Sequence, residues 1–245
     1  MKKIALLALA VIMLAVFCGC GLGGVIDDLD DIGGGDNNDT PGEKLEYTEE
    51  SVTEWLQQLR DNGGYLIEIE VTSFEGGGET EKSTFAMGAD GNKHYFKGEN
   101  GNETIYHVGE DSYSFYERYG GNEGWDKATI NYSEYFDKEM AEQTIGFSQL
   151  TLMFLLTNYT AYSGSDFTKL GGAMVAGKSC TKYKYSIELL TFKFEATYYI
   201  ENVSGMCLKY EVSAEAQGES GASTFECKRY LAPYTIEIPT DINEG

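Results

Sequence analysis

Residues 191–201, TFKFEATYYIE, decide the fold of this chain, because large apolar side chains alternate in them with polar ones. A period of two places every second side chain on one face of a β-strand, so that one face is buried and the other meets water. Residues 206–212, MCLKYEV, repeat the pattern after a short turn that contains Gly205. Together the two segments predict an antiparallel hairpin with one apolar face.

Working outward, further strands are predicted on both sides of this hairpin. Asp90-Gly91 and Asn100-Gly101 are strong signals for two-residue hairpin turns, and a third turn is expected at Glu110-Asp111. The first turn would place Met87 opposite His94. In the C-terminal part the pattern predicts four strands, at Lys178–Ile187, Thr191–Glu201, Met206–Gln217 and Ala222–Leu231.

The register of the N-terminal hairpins follows by counting if each turn holds two residues. The second turn then places Phe96 opposite Ile105 and His94 opposite His107. The third turn places Ile105 opposite Tyr116. One apolar face is therefore expected to carry Phe85, Met87, Phe96, Ile105 and Tyr116.

Helices are predicted before and after these hairpins. The first begins at Thr48, a good N-cap, and ends near Gly63. A second is predicted from Ser133 to about Gln143. Residues 147–156 hold seven large apolar residues in ten, so the helix they predict is apolar nearly all round and must be buried. This order of elements predicts an α+β fold, in which helices cover a curved antiparallel sheet. The apolar stripe of the first helix is formed by Val52, Trp55, Leu56 and Leu59.

The N-terminus has the features of an export signal. Two lysines precede fourteen consecutive apolar residues, 4–17, a length that suits a signal peptide and is short for a membrane span. The segment ends in Gly19-Cys20, which resembles the bacterial lipobox, whose cysteine is lipidated and becomes the first residue of the mature chain. An ordinary secretory signal followed by a stray cysteine is the alternative. The residue after Cys20 is Gly21 rather than aspartate, which resembles the pattern of lipoproteins that are released to the outer membrane. The cell membrane is the other expected location.

Charge and composition divide the rest of the chain. Residues 1–19 are the predicted signal, 20–44 an acidic Gly/Asp-rich tether, 45–239 a single domain and 240–245 a tail. The formal net charge is −22, and loss of the two lysines with the signal lowers it to −24. Such an acidic chain is a poor ligand for nucleic acid or for anionic lipid headgroups.

Two segments of the predicted domain resemble the superfamily of lipoprotein carriers that includes LolA, LolB and LppX-like proteins. They are residues 175–183, VAGKSCTKY, and residues 198–210, YYIENVSGMCLKY. The resemblance covers residues 45–239 and implies an unclosed β-barrel of about eleven strands, with helices over its concave, apolar side. It also implies that the chain carries or senses lipid or lipoprotein acyl chains. The alternative is a plain core, in which the buried helix at about Leu150 to Leu156 covers this face completely and no ligand is bound. The candidate residues for that face are Phe85, Met87, Phe96, Ile105, Tyr116, Phe192, Phe194, Tyr198, Leu208 and Tyr210.

Cysteine and histidine supply the remaining candidate chemistry. Alternation places Cys180 and Cys207 on polar faces, and a disulfide between them is one expectation for an exported protein. The other is that these cysteines and Cys227 pack as small hydrophobic side chains. If His94 faces His107, the two imidazoles could share a zinc or copper ion, although no third ligand is placed, or repel when protonated. An ordinary polar pair is the alternative.

No motif in the chain predicts catalysis. The sequence lacks a Gly-x-Ser-x-Gly elbow, its cysteines have no accompanying histidine motif, and its glycine runs lack a following lysine. We therefore expect no enzyme activity and no cofactor. The leading interpretation is a membrane-anchored envelope lipoprotein that binds or carries a lipid or another hydrophobic molecule. An envelope sensor or scaffold that binds proteins through the same fold is the first rival, and an enzyme acting on envelope lipid or polysaccharide is the second.

Lipidation of Cys20 gives a direct prediction. Replacing Cys20 by serine removes the thiol that would carry the lipid, so Cys20→Ser should abolish incorporation of labelled fatty acid and release the protein into a soluble fraction. Labelling and fractionation of cells that express each form measure both effects. Unchanged labelling in the variant would contradict the assignment.

Overall fold

The computed structural model describes residues 47–75, 78–120, 124–162, 167–189, 192–216 and 219–243. The predicted signal, Cys20 and the predicted tether lie outside these residues. There are two α-helices, α1 at Glu49–Asp61 and α2 at Lys138–Thr157, and a 3₁₀ helix at Asn158–Tyr162 directly follows α2. The strands are β1 Tyr65–Glu75, β2 Gly78–Asp90, β3 Lys93–Lys97, β4 Glu103–Val108, β5 Ser112–Arg118, β6 Asp126–Asn131, β7 Thr168–Val175, β8 Lys178–Leu189, β9 Phe192–Glu201, β10 Cys207–Ala216 and β11 Glu219–Leu231.

All eleven strands belong to one antiparallel sheet. Their order is β6-β5-β4-β3-β2-β1-β11-β10-β9-β8-β7, so the first and last strands of the chain are neighbours at the centre. Strands β6 and β7 form the two edges, and the sheet is not closed into a barrel. This confirms the predicted fold class, an unclosed curved antiparallel sheet with helices.

Helix α1 forms as the sequence predicts. The hydroxyl of Thr48 accepts a hydrogen bond from the Ser51 N–H (3.1 Å), and the Ser51 hydroxyl accepts one from the Thr48 N–H (3.0 Å). This reciprocal cap satisfies backbone donors that the first helical turn leaves without partners. Val52 and Leu56 are buried in the main core, in which residues of β1, β2 and β11 also lie.

Helix α2 corrects the prediction of two separate helices. Ser133 pairs with Phe136 in an isolated bridge instead of capping a helix, and Asp137 is the N-cap, whose carboxylate accepts a hydrogen bond from the Met140 N–H (2.9 Å). From there a single helix continues to Thr157. The side chains of residues 147–152 lie outside the described part of the chain.

The two ends of α2 lie over distant parts of the sheet. Near its N-terminus, Ala141 and Ile145 pack with Val108 of β4 and Tyr113 of β5. Near its C-terminus, Leu155 and Leu156 join the main core with residues of β1, β10 and β11. The helix therefore crosses several strands on the same side as α1, and this side is called the concave face below.

The strand predictions are confirmed for the C-terminal part, where β8 to β11 occupy the four predicted segments to within a few residues. The third turn is also confirmed, because Ile105 lies opposite Tyr116. Strand β7 has no counterpart among the predicted strands. The sequence does not indicate this strand, because it has two central glycines and no strict alternation of apolar and polar residues.

Two predicted registers are wrong, with different consequences. At the first turn Gly91 and Asn92 form the loop, and Met87 lies opposite Phe96, a slip of two residues that keeps each side chain on its face. At the second turn the loop holds residues 98–102, and Ile105 lies opposite Tyr95. This slip of one residue moves Ile105 to the other face of the sheet.

The opposite, convex face has a small apolar core of its own. Ile105 and Tyr116 are buried there with Trp125 and Ile236. Ile236 belongs to the C-terminal segment, residues 233–243, which follows β11 and lies over this part of the sheet. The prediction that Ile105 and Tyr116 belong to the concave face is therefore wrong.

Polar contacts fix the C-terminal segment on the convex face. The Ile236 N–H donates to the Asp90 carboxylate (3.1 Å), and the Lys93 ammonium donates to the Ile236 carbonyl (2.7 Å). Lys93 also forms an ion pair with Asp90 (2.8 Å). Further along, within the predicted tail, the Asn243 N–H donates to the Trp125 carbonyl (2.8 Å). The segment thus joins the end of the chain to β2, β3 and the start of β6.

The C-terminal segment should contribute to stability mainly through Ile236, which is 3% exposed. Replacing it by alanine leaves a cavity against Trp125, so Ile236→Ala should lower the free energy of unfolding by about 2–4 kcal/mol. The neighbouring Glu237 is exposed, so Glu237→Ala should change it by less than about 0.5 kcal/mol. Urea unfolding measures both. Equal effects of the two substitutions would show that the segment does not pack as described.

Candidate functional site

The concave face is the candidate binding surface because of its chemistry. The register places alternate residues of each strand on it, and in β1, β10 and β11 none of the described side chains on this face is charged, whereas β9 ends in the buried Glu201, which lies opposite Cys180 of the main core. Tyrosine is frequent among them. Burial raises the pKa of Tyr159, which packs against this face, and of Tyr65, so these phenols stay neutral. A ligand on this face would meet apolar surface and neutral hydroxyl groups.

Burial on the concave face changes in a step along the central strands. In β1, Ile69 is fully buried, whereas Val71 is half exposed. In β2, which runs the other way, Met87 is fully buried and Phe85 is half exposed. Val71 and Phe85 therefore lie towards the same end of the sheet. The helices cover one end of these strands and leave the other partly open.

The same step occurs on the C-terminal half of the sheet. Phe194 of β9 is buried and Phe192 is half exposed, and Tyr185 of β8 is buried next to half-exposed Ile187. Together, half-exposed residues form a surface that we call the apolar band, at the open end of the concave face. The apolar band consists of Val71, Phe85, Phe96, Ile187, Phe192, Tyr210, Val212 and Ala214.

Next to the apolar band, aromatic side chains close the core over β8 and β9. The ring of Phe167 is fully buried, with its centre 5.5 Å from that of Tyr185 and 6.1 Å from that of Tyr198. Tyr159, from the 3₁₀ helix, contacts Tyr198 edge-on and donates a hydrogen bond to the Gly205 carbonyl. These contacts hold in place the buried aromatic cluster that lies next to the apolar band.

Eight of the ten residues predicted for a ligand face belong to the clusters of the concave side. Four are buried in its core, namely Met87, Phe194, Tyr198 and Leu208. Four are half exposed in the apolar band, namely Phe85, Phe96, Phe192 and Tyr210. The other two are Ile105 and Tyr116 of the convex face.

Sequence reasoning missed four residues of the apolar band. Val212 belongs to an alternating pattern and could have been found by extending it. Val71, Ile187 and Ala214 carry no distinctive signal, because their exposure depends on where the helices end.

The predicted disulfide between Cys180 and Cys207 is contradicted. Among the described residues, Cys180, Cys207 and Cys227 are all free and buried. A β-bulge after Cys207 places it opposite Ile200 in the aromatic core instead of on a polar face. Burial raises the pKa of Cys180 to about 11 and that of Cys227 to about 12, so both thiols stay protonated and unreactive. The cysteines pack as small hydrophobic side chains.

The predicted histidine pair is also contradicted. His94 lies opposite Tyr106 on the concave face, whereas His107 lies opposite Lys93 on the convex face. The two imidazoles therefore cannot share a metal ion or repel each other directly. In the described part of the chain no group of three or more metal-ligating side chains occurs.

The described helices include none with the length and apolar character needed to cross a membrane.

Comparison with known proteins finds neighbours only at the level of structure. No protein-family model and no curated protein matches this sequence. Among solved structures, a DUF1329 family protein from Desulfovibrio piger is similar with a TM-score of 0.27 and 9% identity, covering 77% of this chain and 93% of that one. A domain from Vibrio parahaemolyticus described as an outer membrane lipoprotein-sorting protein has a TM-score of 0.24 and 9% identity, covering 77% and 93%.

A LolA superfamily protein from Nitrosomonas europaea is also similar, with a TM-score of 0.24 and 11% identity, covering 79% of this chain and 96% of that one. The neighbours thus include the superfamily that residues 175–183 and 198–210 resemble. At these TM-scores, nothing about the ligand, activity or location of this chain follows from the similarity.

The position of His94 predicts a pH dependence. Burial, with the nearby Arg60 charge, lowers the pKa of His94 from 6.5 to about 4, and its Nδ1 has no hydrogen-bond partner among the described residues. Between these pKa values the unfolded chain binds a proton that the folded chain does not, so stability falls as pH drops through this range. His94→Phe should remove the part of this fall in stability that is due to protonation of His94.

Urea unfolding at about pH 7 and about pH 5 measures the difference. His107→Phe is the matched control: burial also lowers the pKa of His107, but this side chain is less buried and should account for less of the pH dependence. The same pH dependence in the wild type and in His94→Phe would contradict the assignment.

Proposed function

We propose that this chain is an exported bacterial lipoprotein that is anchored by lipid on Cys20 and binds an apolar molecule on its concave face without catalysing a reaction. The ligand class is a lipid, or the acyl chain of a lipid or lipoprotein. The observation that carries the proposal is the apolar band, which is half exposed next to a fully buried core.

The geometry of the apolar band supports ligand binding over a plain core. Isolated apolar residues are common on protein surfaces, but a contiguous set on a concave surface is typical of a binding site. The members of the band lie on strands at both sides of the sheet centre: Phe85 on β2 and Val71 on β1, against Val212 on β10 and Phe192 on β9. A chain-like ligand lying over the sheet centre would contact members of the band on both sides of it.

The expected binding energy is sufficient for such a ligand. Each CH₂ group removed from water contributes about 0.8 kcal/mol. A chain of about fourteen methylenes would gain on the order of 10 kcal/mol before the entropy losses of association are subtracted. None of the residues of the apolar band is charged, so binding there desolvates no ionised side chain of the band.

The chemistry of the cysteines and histidines agrees with a role in binding. The three buried thiols are held protonated, so they are not activated as nucleophiles, and His94 and His107 lie on opposite faces of the sheet, so they do not form a paired metal site. Binding would therefore rest on shape and apolar contact.

Substitution within the apolar band tests the proposal. Val212→Trp would place an indole where the ligand is expected to lie, so affinity for a fluorescent fatty acid should fall about tenfold or more. Because Val212 is half exposed, the added volume can extend into open space and the melting temperature should change little. Fluorescence titration and thermal unfolding measure the two quantities.

The next residue provides the control. Ser213 is exposed and faces the opposite side of β10, so Ser213→Trp should leave fatty-acid affinity unchanged. A wild-type protein that takes up no fatty acid, or equal affinities of the two variants, would contradict binding on the concave face.

A further inference from the structure

Strand β7 is an open edge of the sheet. Among the described residues no strand pairs with its outer side, whereas the other edge begins next to Trp125, which forms a bridge with Ile242 of the C-terminal segment. Two large apolar side chains on β7 are exposed, Leu170 by 48% and Met174 by 67%. The backbone of an open edge offers N–H and C=O groups to an added strand.

The hairpin of β7 and β8 is basic in an acidic protein. Residues 168–189, the two strands and their turn, contain four lysines and one glutamate, Glu188, although the chain as a whole has a net charge of −22. The ammonium groups of Lys169 and Lys178 lie over the rings of Tyr183 and Tyr230, and Lys184 forms an ion pair with Glu195 of β9. The hairpin therefore combines a net positive charge, to which β7 contributes Lys169 and β8 the other three lysines, with the exposed apolar side chains of β7. The four lysines are Lys169, Lys178, Lys182 and Lys184.

The described chain begins beside this hairpin. The hydroxyl of Tyr47 donates to the Asn202 carbonyl (3.0 Å), and the Asn202 N–H donates to the Ser179 carbonyl of β8 (3.0 Å). Tyr47, the first described residue, therefore lies next to the first residues of β8.

A segment of matching chemistry precedes Tyr47 in the sequence. Residues 25–32, VIDDLDDI, combine four aspartates with four large apolar residues. Fourteen residues lie between Ile32 and Tyr47, and a linker of that length spans about 20 Å on average. An eight-residue strand such as β7 is about 26 Å long, so the segment can reach it.

We propose that residues 25–32 dock on the outer edge of β7 as an added strand. Backbone hydrogen bonds to the open edge provide part of the binding, as in other cases of strand addition. The aspartates lie near the lysines of the hairpin, and the apolar residues of the segment cover Leu170 and Met174. Because the segment belongs to the same chain, its effective concentration is in the millimolar range, and weak contacts are sufficient.

A second copy of the chain is a less suitable occupant. Two copies with a net charge of −22 each repel one another. The β-bulge at Leu170 and the adjacent Lys169 are features that discourage edge-to-edge pairing between folded sheets. A short acidic segment from the same chain does not meet the charge repulsion, because the hairpin on which it docks is basic.

Docking would set the distance between the domain and the membrane. Val25 lies five residues after Cys20, so a docked segment brings Cys20 close to β7. This consequence rests on the proposed lipid anchor, whereas docking itself does not.

Hydrogen exchange of β7 tests the proposal on residues 20–245 carrying Cys20→Ser. In the variant with Asp27, Asp28, Asp30 and Asp31 all changed to asparagine, the amides of β7 that face away from β8 should exchange about fivefold faster than with the native segment, since weak intramolecular docking protects them most of the time. The control is the double variant Asp36→Asn and Asp39→Asn, which removes charges outside the segment and should leave exchange unchanged.

A charge exchange separates docking from a general effect of charge. Lys169→Glu with Lys182→Glu should speed exchange of β7 as the asparagine variant does, and adding Asp27→Lys with Asp30→Lys should restore the slower rate. Equal exchange in all variants would overturn the proposal. So would protection that rises with protein concentration, which indicates a second copy, or protection that arises only with phosphatidylglycerol vesicles, which indicates a membrane.

Discussion

The packing of helices on one apolar face of an eleven-stranded sheet is the interaction on which the rest of this structure depends. An antiparallel sheet with one apolar face cannot leave that face in water, because every large side chain buried there contributes about 1.5–3 kcal/mol. Helix α1 covers the centre with Val52 and Leu56, and α2 crosses from β4 and β5 to the main core. Both helices therefore bury apolar side chains of the concave face.

The cover is incomplete, and this makes the concave face a candidate site. Ile69 and Met87 are sealed under the helices, whereas their neighbours Val71 and Phe85 are half exposed. On the convex face the C-terminal segment covers the apolar residues, and Ile236 packs with the buried Ile105. One side of the sheet is thus completed by the chain itself, and the other retains an apolar surface that a ligand can complete.

The sequence predicts the elements of this fold better than their pairing. Alternation identified β8 to β11, and capping and periodicity identified α1, because these signals are local. The register between β3 and β4 depends on whether the loop holds two residues or five, and Asn100-Gly101 favours the shorter one. That single residue of slip moved Ile105 to the wrong face and paired the two histidines incorrectly.

The candidate site was predictable only in part, because strand patterns are local signals whereas the exposure of a side chain depends on how distant elements pack. Phe192, Phe85 and Tyr210 were found because they are aromatic residues in alternating strands. Their half exposure was not predictable, because it depends on where α2 crosses the sheet. The face on which Cys207 lies depends on a β-bulge that no local sequence pattern predicts.

The apolar molecules that copurify with the folded protein test the central claim most directly. Protein purified from a bacterial envelope is extracted with organic solvent, and the extract is analysed by mass spectrometry against the same protein carrying Val212→Trp. The account predicts a stoichiometric amount of a lipid or other acyl-containing molecule from the wild type and much less from the variant. Extracts without such a molecule, from a wild-type protein that is folded and stable, would contradict it.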